Sequence, residues 1–135
     1  MMIFPHPIMA KYYTLVPLPI GKFAEWELTL VDRAVFGMIW ERWKLGSYKL
    51  LGGCEDWYDP VEEDIFCIFA HDELARQIGV SEKTIRRSLE TLRSKHMISW
   101  RKAKFMGATR YYIARDVQQY MNSLRQSNKE SAESP

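Results

Sequence analysis

Residues 71–113 read HDELARQIGVSEKTIRRSLETLRSKHMISWRKAKFMGATRYYI. Two helical patterns, a glycine between them and two alternating strands follow in that order. Ala75 is small where a second helix must approach closely. Gly79, four residues on, permits the positive φ of a tight turn. Val80 is placed to fill the angle between the helices. Asp72 reads as the cap of a first helix over residues 73–78, and Ser81 as the cap of a second over residues 82–95. Ile85, Leu89 and Leu92 recur at helical spacing and make a core-facing stripe, with Ile78 and Ile98 as partners. Residues 97–102 and 109–113 read as strands joined by a turn at 105–108. The stretch predicts a helix-turn-helix followed by a β-hairpin wing.

Charge within this segment is one-sided. Ten basic residues lie between Ser81 and Arg115, against only Glu82 and Glu90. The segment therefore holds about +8 in a chain whose formal charge is +2, and the remainder is acidic. With Ile85 at the centre of the buried face, steps of about 100° per residue put Lys83, Arg87, Glu90, Thr91 and Ser94 on the opposite face. Thr84 and Arg86 fall at its sides. A merely solvated helix would mix charge signs more evenly. This pattern predicts contact with double-stranded DNA. Lys83 and Arg87 suit guanine O6 and N7, while Thr84 and Thr91 suit a thymine methyl or a phosphate. Ser81, Arg86 and Ser94 complete the expected helix surface. Arg101, Lys102, Lys104 and Arg110 are the expected phosphate contacts of the wing, which Trp100, Tyr111 and Ile113 anchor. Charged edges also deter strand-to-strand aggregation, so the wing's cations are weaker evidence than the helix's.

Upstream lies an apolar run, Ile65–Phe69, read as one buried strand. Before it, residues 46–64 form a long connection with turn signals at Gly52-Gly53 and Asp59-Pro60. Glu55, Asp56, Asp59, Glu62, Glu63 and Asp64 make it strongly acidic. It is read either as a solvated loop or as a fence that repels phosphate and restricts the approach of DNA. Thr29 with Asp32 three residues on is a capping-box variant opening a long helix. Leu30, Val31, Ala34, Val35, Met38, Ile39 and Arg42 follow its period, with Trp40 and Trp43 flanking. The helix is expected to end at residues 44–46 with Gly46 as a left-handed cap. Residues 1–28 are rich in proline and aromatics, with a short strand expected at 12–16 and a short helix at 20–26. This arm is expected to pack on the body.

Downstream, Asp116 is read as the cap of an amphipathic helix presenting Val117, Tyr120, Met121 and Leu124. That stripe and the N-terminal arm are read either as dimer surfaces or as parts of the monomer's own core. A homodimer is favoured because paired recognition helices double the length of DNA read. Residues 127–135 are polar and repetitive and are expected to be disordered. The domain reading is a winged-helix unit with its arm over 1–115, a C-terminal helix over 116–126, and the tail.

A length of 135 residues supports one core, and 47% hydrophobic with 13% aromatic residues fits a folded chain. Cys54 and Cys67 form no Cys-x-x-Cys pair, so no disulfide framework is expected and a reducing cytoplasm fits. No apolar run is long enough to span a membrane, and no signal peptide is expected. Phosphate-loop and metal-ligand spacings are missing, and no nucleophile–base pattern stands out. His71 is read as part of a helix start, and His96 as sitting favourably near a helix C-terminus. No enzyme, cofactor or metal is expected.

Several stretches together resemble a known family. They are Tyr12-Tyr13-Thr14-Leu15-Val16-Pro17, the helix over 28–43, the acidic connection, and residues 66–112. Within the last, Phe69-Ala70-His71-Asp72-Glu73-Leu74 and Ser81-Glu82-Lys83-Thr84-Ile85 carry most of it. The chain resembles the N-terminal domain of RepA-type plasmid replication initiators of low-GC Gram-positive bacteria and their relatives. The likeness covers roughly residues 12–113. The winged-helix half is shared by many regulators, while the aromatic arm and long loop narrow it. Membership would imply binding to repeats in a replication origin, commonly as a dimer. It would also imply a further C-terminal domain for host replication proteins. The sequence ends before such a domain, so origin or operator binding is the part the resemblance implies here.

The expected fold class is α+β, mainly α: a winged helix-turn-helix with an aromatic N-terminal arm and an extra C-terminal helix. The expected function is sequence-specific binding of double-stranded DNA in a replication-initiator-like role, with replication proteins as further partners. The alternatives are a winged-helix transcriptional regulator, a winged-helix protein-interaction module that binds no DNA and, more weakly, a small-molecule sensor.

Overall fold

A computed structural model describes residues 27–102 and 108–123. The expected strand and helix of the N-terminal arm, Lys104, most of the wing turn, Leu124 and the tail lie outside these residues. Among the described residues the order is α1 (Leu30–Leu51), β1 (Tyr58–Asp59), β2 (Asp64–Ile65), β3 (Cys67–Ile68), α2 (His71–Ile78), α3 (Glu82–Ser94), β4 (Ile98–Lys102) and β5 (Thr109–Ile113). A helix α4 then occupies 115–123. β3, β5 and β4 form one antiparallel sheet with β5 in the centre, and β1 pairs with β2 in a separate hairpin. This is an α+β winged helix.

α1 starts as its capping box predicts. Thr29 Oγ1 accepts from the Asp32 amide and Asp32 Oδ2 accepts from the Thr29 amide, both at 3.1 Å. It does not stop at Gly46. The helix runs to Leu51 and is capped at Gly52. Gly46 instead lies buried within it, where an added Cβ would meet Trp57 Cβ at 2.9 Å. That glycine provides room for the returning chain rather than a change of backbone hand. The connection over 46–64 is consequently the last turns of a helix, a short link and a hairpin.

The apolar run after it is two short strands, not one. Ile65 pairs with Tyr58, whereas Cys67 pairs with Tyr111, so the chain changes sheets at Phe66. α2 begins at His71 with Ala70 in the cap position and no side-chain cap, two residues earlier than expected. Asp72 Oδ1 accepts only from the adjacent Glu73 amide. α4 likewise starts one residue before Asp116. Acids at these positions still favour the positive ends of the helix dipoles.

The turn between α2 and α3 follows the sequence reading. Gly79 has φ 88°, and its amide and that of Val80 both donate to the Ala75 carbonyl. Ser81 Oγ accepts from the Thr84 amide at 3.2 Å and opens α3. At the far end His96 takes φ 58°, its amide donating to Arg93 O and the Met97 amide to Leu92 O. This is a Schellman closure with histidine where glycine is commoner, and Leu92 and Met97 are both fully buried beneath it. Met97 is spent on that closure, so β4 starts at Ile98.

The core sits between α1, the helix pair and the inner face of the sheet. Phe36, Ile39, Leu74, Ile78, Ile85, Leu92, Tyr111 and Ile113 are all essentially inaccessible. Each buried Leu or Ile contributes about 1.5–3 kcal/mol. Val117 and Met121 of α4 belong to this same core, with Tyr120 packed against it. Of the two readings of that stripe, completion of the monomer's core holds for these residues. Arg42 fastens α1 to the rest: it donates to the Ile68 carbonyl at 2.9 Å and forks onto the Glu73 carboxylate at 3.0 and 3.3 Å. Its guanidinium also lies 3.5 Å above the Phe69 ring.

Candidate nucleic-acid interface

α3 divides into two faces at its apolar stripe. Ile85, Ser88, Leu89 and Leu92 are buried, and Ser81, Lys83, Arg86, Arg87 and Ser94 are exposed. Thr84 and Thr91 are half-buried at the margins. Sequence spacing therefore places the expected residues on one surface. Among the described residues, Lys83, Arg86 and Arg87 have no ion-pair partner. Arg93 is different: it stands 4.0 Å from Glu90 and lies 4.6 Å over the Trp100 ring, tying the helix to the wing.

The hydroxyls on this surface are partly committed. Ser81 caps the helix and lies 3.0 Å from Thr84 Oγ1. Thr91 Oγ1 donates to Arg87 O at 3.0 Å, and Ser94 Oγ donates to Thr91 O at 2.7 Å. Thr91 and Ser94 turn their protons back onto the helix, and one of the Ser81 and Thr84 hydroxyls donates to the other. The cations are thus the freer donors.

The wing is divided in another way. Strand alternation puts Ile98, Trp100, Tyr111 and Ile113 on the inner face, with Trp100 and Tyr111 edge-to-face at 5.9 Å. Arg101 and Arg110 fall on the outer face, directly opposite each other across the ladder. Like charges so placed repel. The β1–β2 hairpin covers that face with carboxylates. Glu62 Oε1 lies 2.7 Å from Arg101 Nη1, and Asp59 Oδ2 lies 3.4 Å from Arg110 Nη1. Arg115 also reaches back, donating to the Glu63 carbonyl at 3.0 Å. Lys102, on the alternate side from Arg101, is exposed without an ion-pair partner among the described residues.

Asp59 is the centre of this arrangement. It is buried, accepts from the Tyr112 hydroxyl at 2.7 Å, and accepts from the Val61 and Glu62 amides at 2.9 and 3.3 Å. The Tyr112 hydrogen bond above all holds its carboxyl below the ordinary value of 3.8. Burial, reinforced by Asp59, pushes the Tyr112 phenol up to about 12. The sequence reading missed Asp59 because it stood as one acid among six. Its turn signal, Asp59-Pro60, was visible, whereas its partners lie some fifty residues downstream. The two readings of the acidic connection thus merge: it is neither free loop nor detached fence, but a hairpin neutralising the wing's outer face.

His71 Nε2 lies 3.0 Å from the Tyr111 hydroxyl and links α2 to β5. Burial pushes the Cys67 thiol up to about 12, which leaves it unreactive, and both Cys54 and Cys67 are free thiols. Among the described residues no helix is long and apolar enough to cross a membrane.

No family model matches this sequence, and no curated protein is detectably similar to it. Solved structures are similar in fold. An N-terminal domain of a DNA-binding protein superposes with a TM-score of 0.54 at 10% identity, covering 99% of this chain and 90% of that one. A Rep–DNA complex gives a TM-score of 0.53 at 10% identity, covering 99% of this chain and 91% of that one. At such identity the likeness establishes the architecture, and this chain shares the fold of those two DNA-associated proteins.

Proposed function

We propose that this chain is a double-stranded DNA-binding domain that inserts α3 into the major groove and reads a specific sequence. The observation that carries the reading is the exposed set Lys83, Arg86 and Arg87, unpaired among the described residues, on the second helix of a helix-turn-helix. Lys83 and Arg87 are assigned to base edges and Arg86 to the flanking backbone. Lys102 and Lys104 extend the phosphate contacts along the wing. The fold shared with a Rep–DNA complex supports DNA as the partner.

The narrower form of the proposal is replication-initiator-like binding to origin repeats, by two copies of the chain, with replication proteins recruited there. The domain binds and does no chemistry, and it acts in the cytoplasm. Selection of binding sites from random duplexes tests the whole reading. An iterated site supports the initiator, and a lone operator-like palindrome supports a transcriptional regulator. No enrichment, together with affinity that ignores salt, overturns DNA binding. Light scattering with and without the selected duplex tests pairing. If two copies associate, the surface is other than Val117 and Met121, which the monomer buries.

A further inference from the structure

Between the β1–β2 hairpin and the wing lies a cleft of about 300 Å³, lined by Asp59, Glu62, Arg101, Lys102, Arg110 and Tyr112. Arg101 and Arg110 thus face the two carboxylates in a concave, open site, and Lys102 borders it from the alternate side of β4. The two carboxylates are held very differently. Asp59 is 8% exposed and fixed by a phenol, an arginine and two backbone amides. Glu62 has Arg101 as its one side-chain partner among the described residues, and the two side chains are 28% and 68% exposed. The Glu62 amide is anchored on Asp59, so its backbone is fixed while its side chain sits at the rim.

We propose that this cleft is a phosphodiester-binding site kept closed by Glu62. The Glu62 carboxylate occupies the guanidinium fork of Arg101 where a phosphate of the DNA backbone would otherwise sit. The proposal rests on the DNA-binding reading above and adds an internal restraint to it. Carboxylate and phosphate make the same charge-assisted contacts with a guanidinium, so they compete for one place. Arg110 is outside the competition, because Asp59 is locked by its other partners. Lys102 borders the cleft without an ion pair among the described residues and adds positive charge beside any phosphate that enters. The result is a wing that engages the backbone one contact short and leaves discrimination to α3.

The test is the salt dependence of affinity for one duplex, for the full chain and four variants, each checked for folding by circular dichroism. Glu62→Gln should bind more tightly and steepen the slope of log affinity against log salt by about 0.9, one phosphate contact. Glu63→Gln removes the same charge next door and should leave the slope as it was. Glu62→Gln with Arg101→Gln should lose the steepening. Arg101→Gln alone should leave the slope unchanged, because Glu62 already withholds Arg101. A shallower slope in that variant overturns the gate even if Glu62→Gln folds poorly. An unchanged slope in Glu62→Gln, the same gain in Glu63→Gln, or a shallower slope in Arg101→Gln overturns the gate. A native chain without salt-dependent duplex affinity would instead remove the DNA-binding reading itself, and the gate with it.

Discussion

α3 and the wing carry similar basic residues and use them in opposite ways. On α3, Lys83, Arg86 and Arg87 project from a helix whose other face is fully buried, and no acid among the described residues meets them. On the wing, Arg101 and Arg110 are met by Glu62 and Asp59. A free cation adds to affinity for a polyanion and little to stability. A paired one near the surface adds little to either, unless a buried partner depends on it. Counting basic residues therefore overstates the cations free to meet a ligand, and the helix carries more of these than the wing does among the described residues.

The deepest break is beneath the helix. Ile85→Ala removes a side chain with no exposed surface and should cost about 2–5 kcal/mol of stability, read by urea denaturation. A loss below ~1 kcal/mol would mean that α3 is not seated on the core as described. Next comes the free cation. Arg87→Ala should cost about 1–3 kcal/mol of affinity on the selected duplex and less on random DNA, with stability unchanged. Equal losses on both duplexes would make Arg87 a phosphate contact, and no loss would take this face out of the interface.

Asp59→Asn is the mirror experiment, in which stability and not affinity should fall. Weakening the acceptor of the Tyr112 hydroxyl should cost about 1–3 kcal/mol. It should also change the acid limb of the stability curve. The folded pKa of Asp59 lies below 3.8, so its contribution is complete above 3.8 and is lost as pH falls through the lower folded value. Glu73, lowered chiefly by its hydrogen bond from Arg42, acts in the same direction from 4.5 downward. Asp64, raised chiefly by burial, opposes them. Denaturation from about pH 5 to about pH 2 should therefore show a flatter decline in Asp59→Asn than in the native chain. Parallel curves would show that Asp59 is not the group being protonated.

The smallest effect separates the two kinds of wing cation. Lys102→Ala should shallow the log–log salt slope by about 0.9, and Arg110→Ala should leave it unchanged. Identical slopes for the two variants would erase the distinction between free and paired wing residues.

Much of this architecture was legible one residue at a time. Thr29 with Asp32, Ser81 with Thr84, and Gly79 at φ 88° act within four residues, and each stands where its spacing placed it. The two wing strands and the stripe of Ile85, Leu89 and Leu92 were equally readable from period. Gly46 was misleading because glycine signals either a left-handed cap or a close approach, and only the position of Trp57 decides which. The single strand expected at 65–69 was two, because an apolar run carries no record of which sheet each residue joins. Arg42 was visible only as a polar residue at helical spacing, while its partners Ile68 and Glu73 are 26 and 31 residues away.

The helix-turn-helix, the hairpin after it and the cationic face of α3 are all written in the order of the residues. Those features depend on caps, turns and side-chain periods that act over a few residues. Which cations remain free depends instead on how the elements pack in space. Arg110 meets Asp59 across 51 positions and Tyr112 meets it across 53, when the acidic hairpin folds over the outer face of the sheet. Charge is a property of a residue, whereas its neutralisation depends on distance in space, and spacing along the chain does not encode that distance.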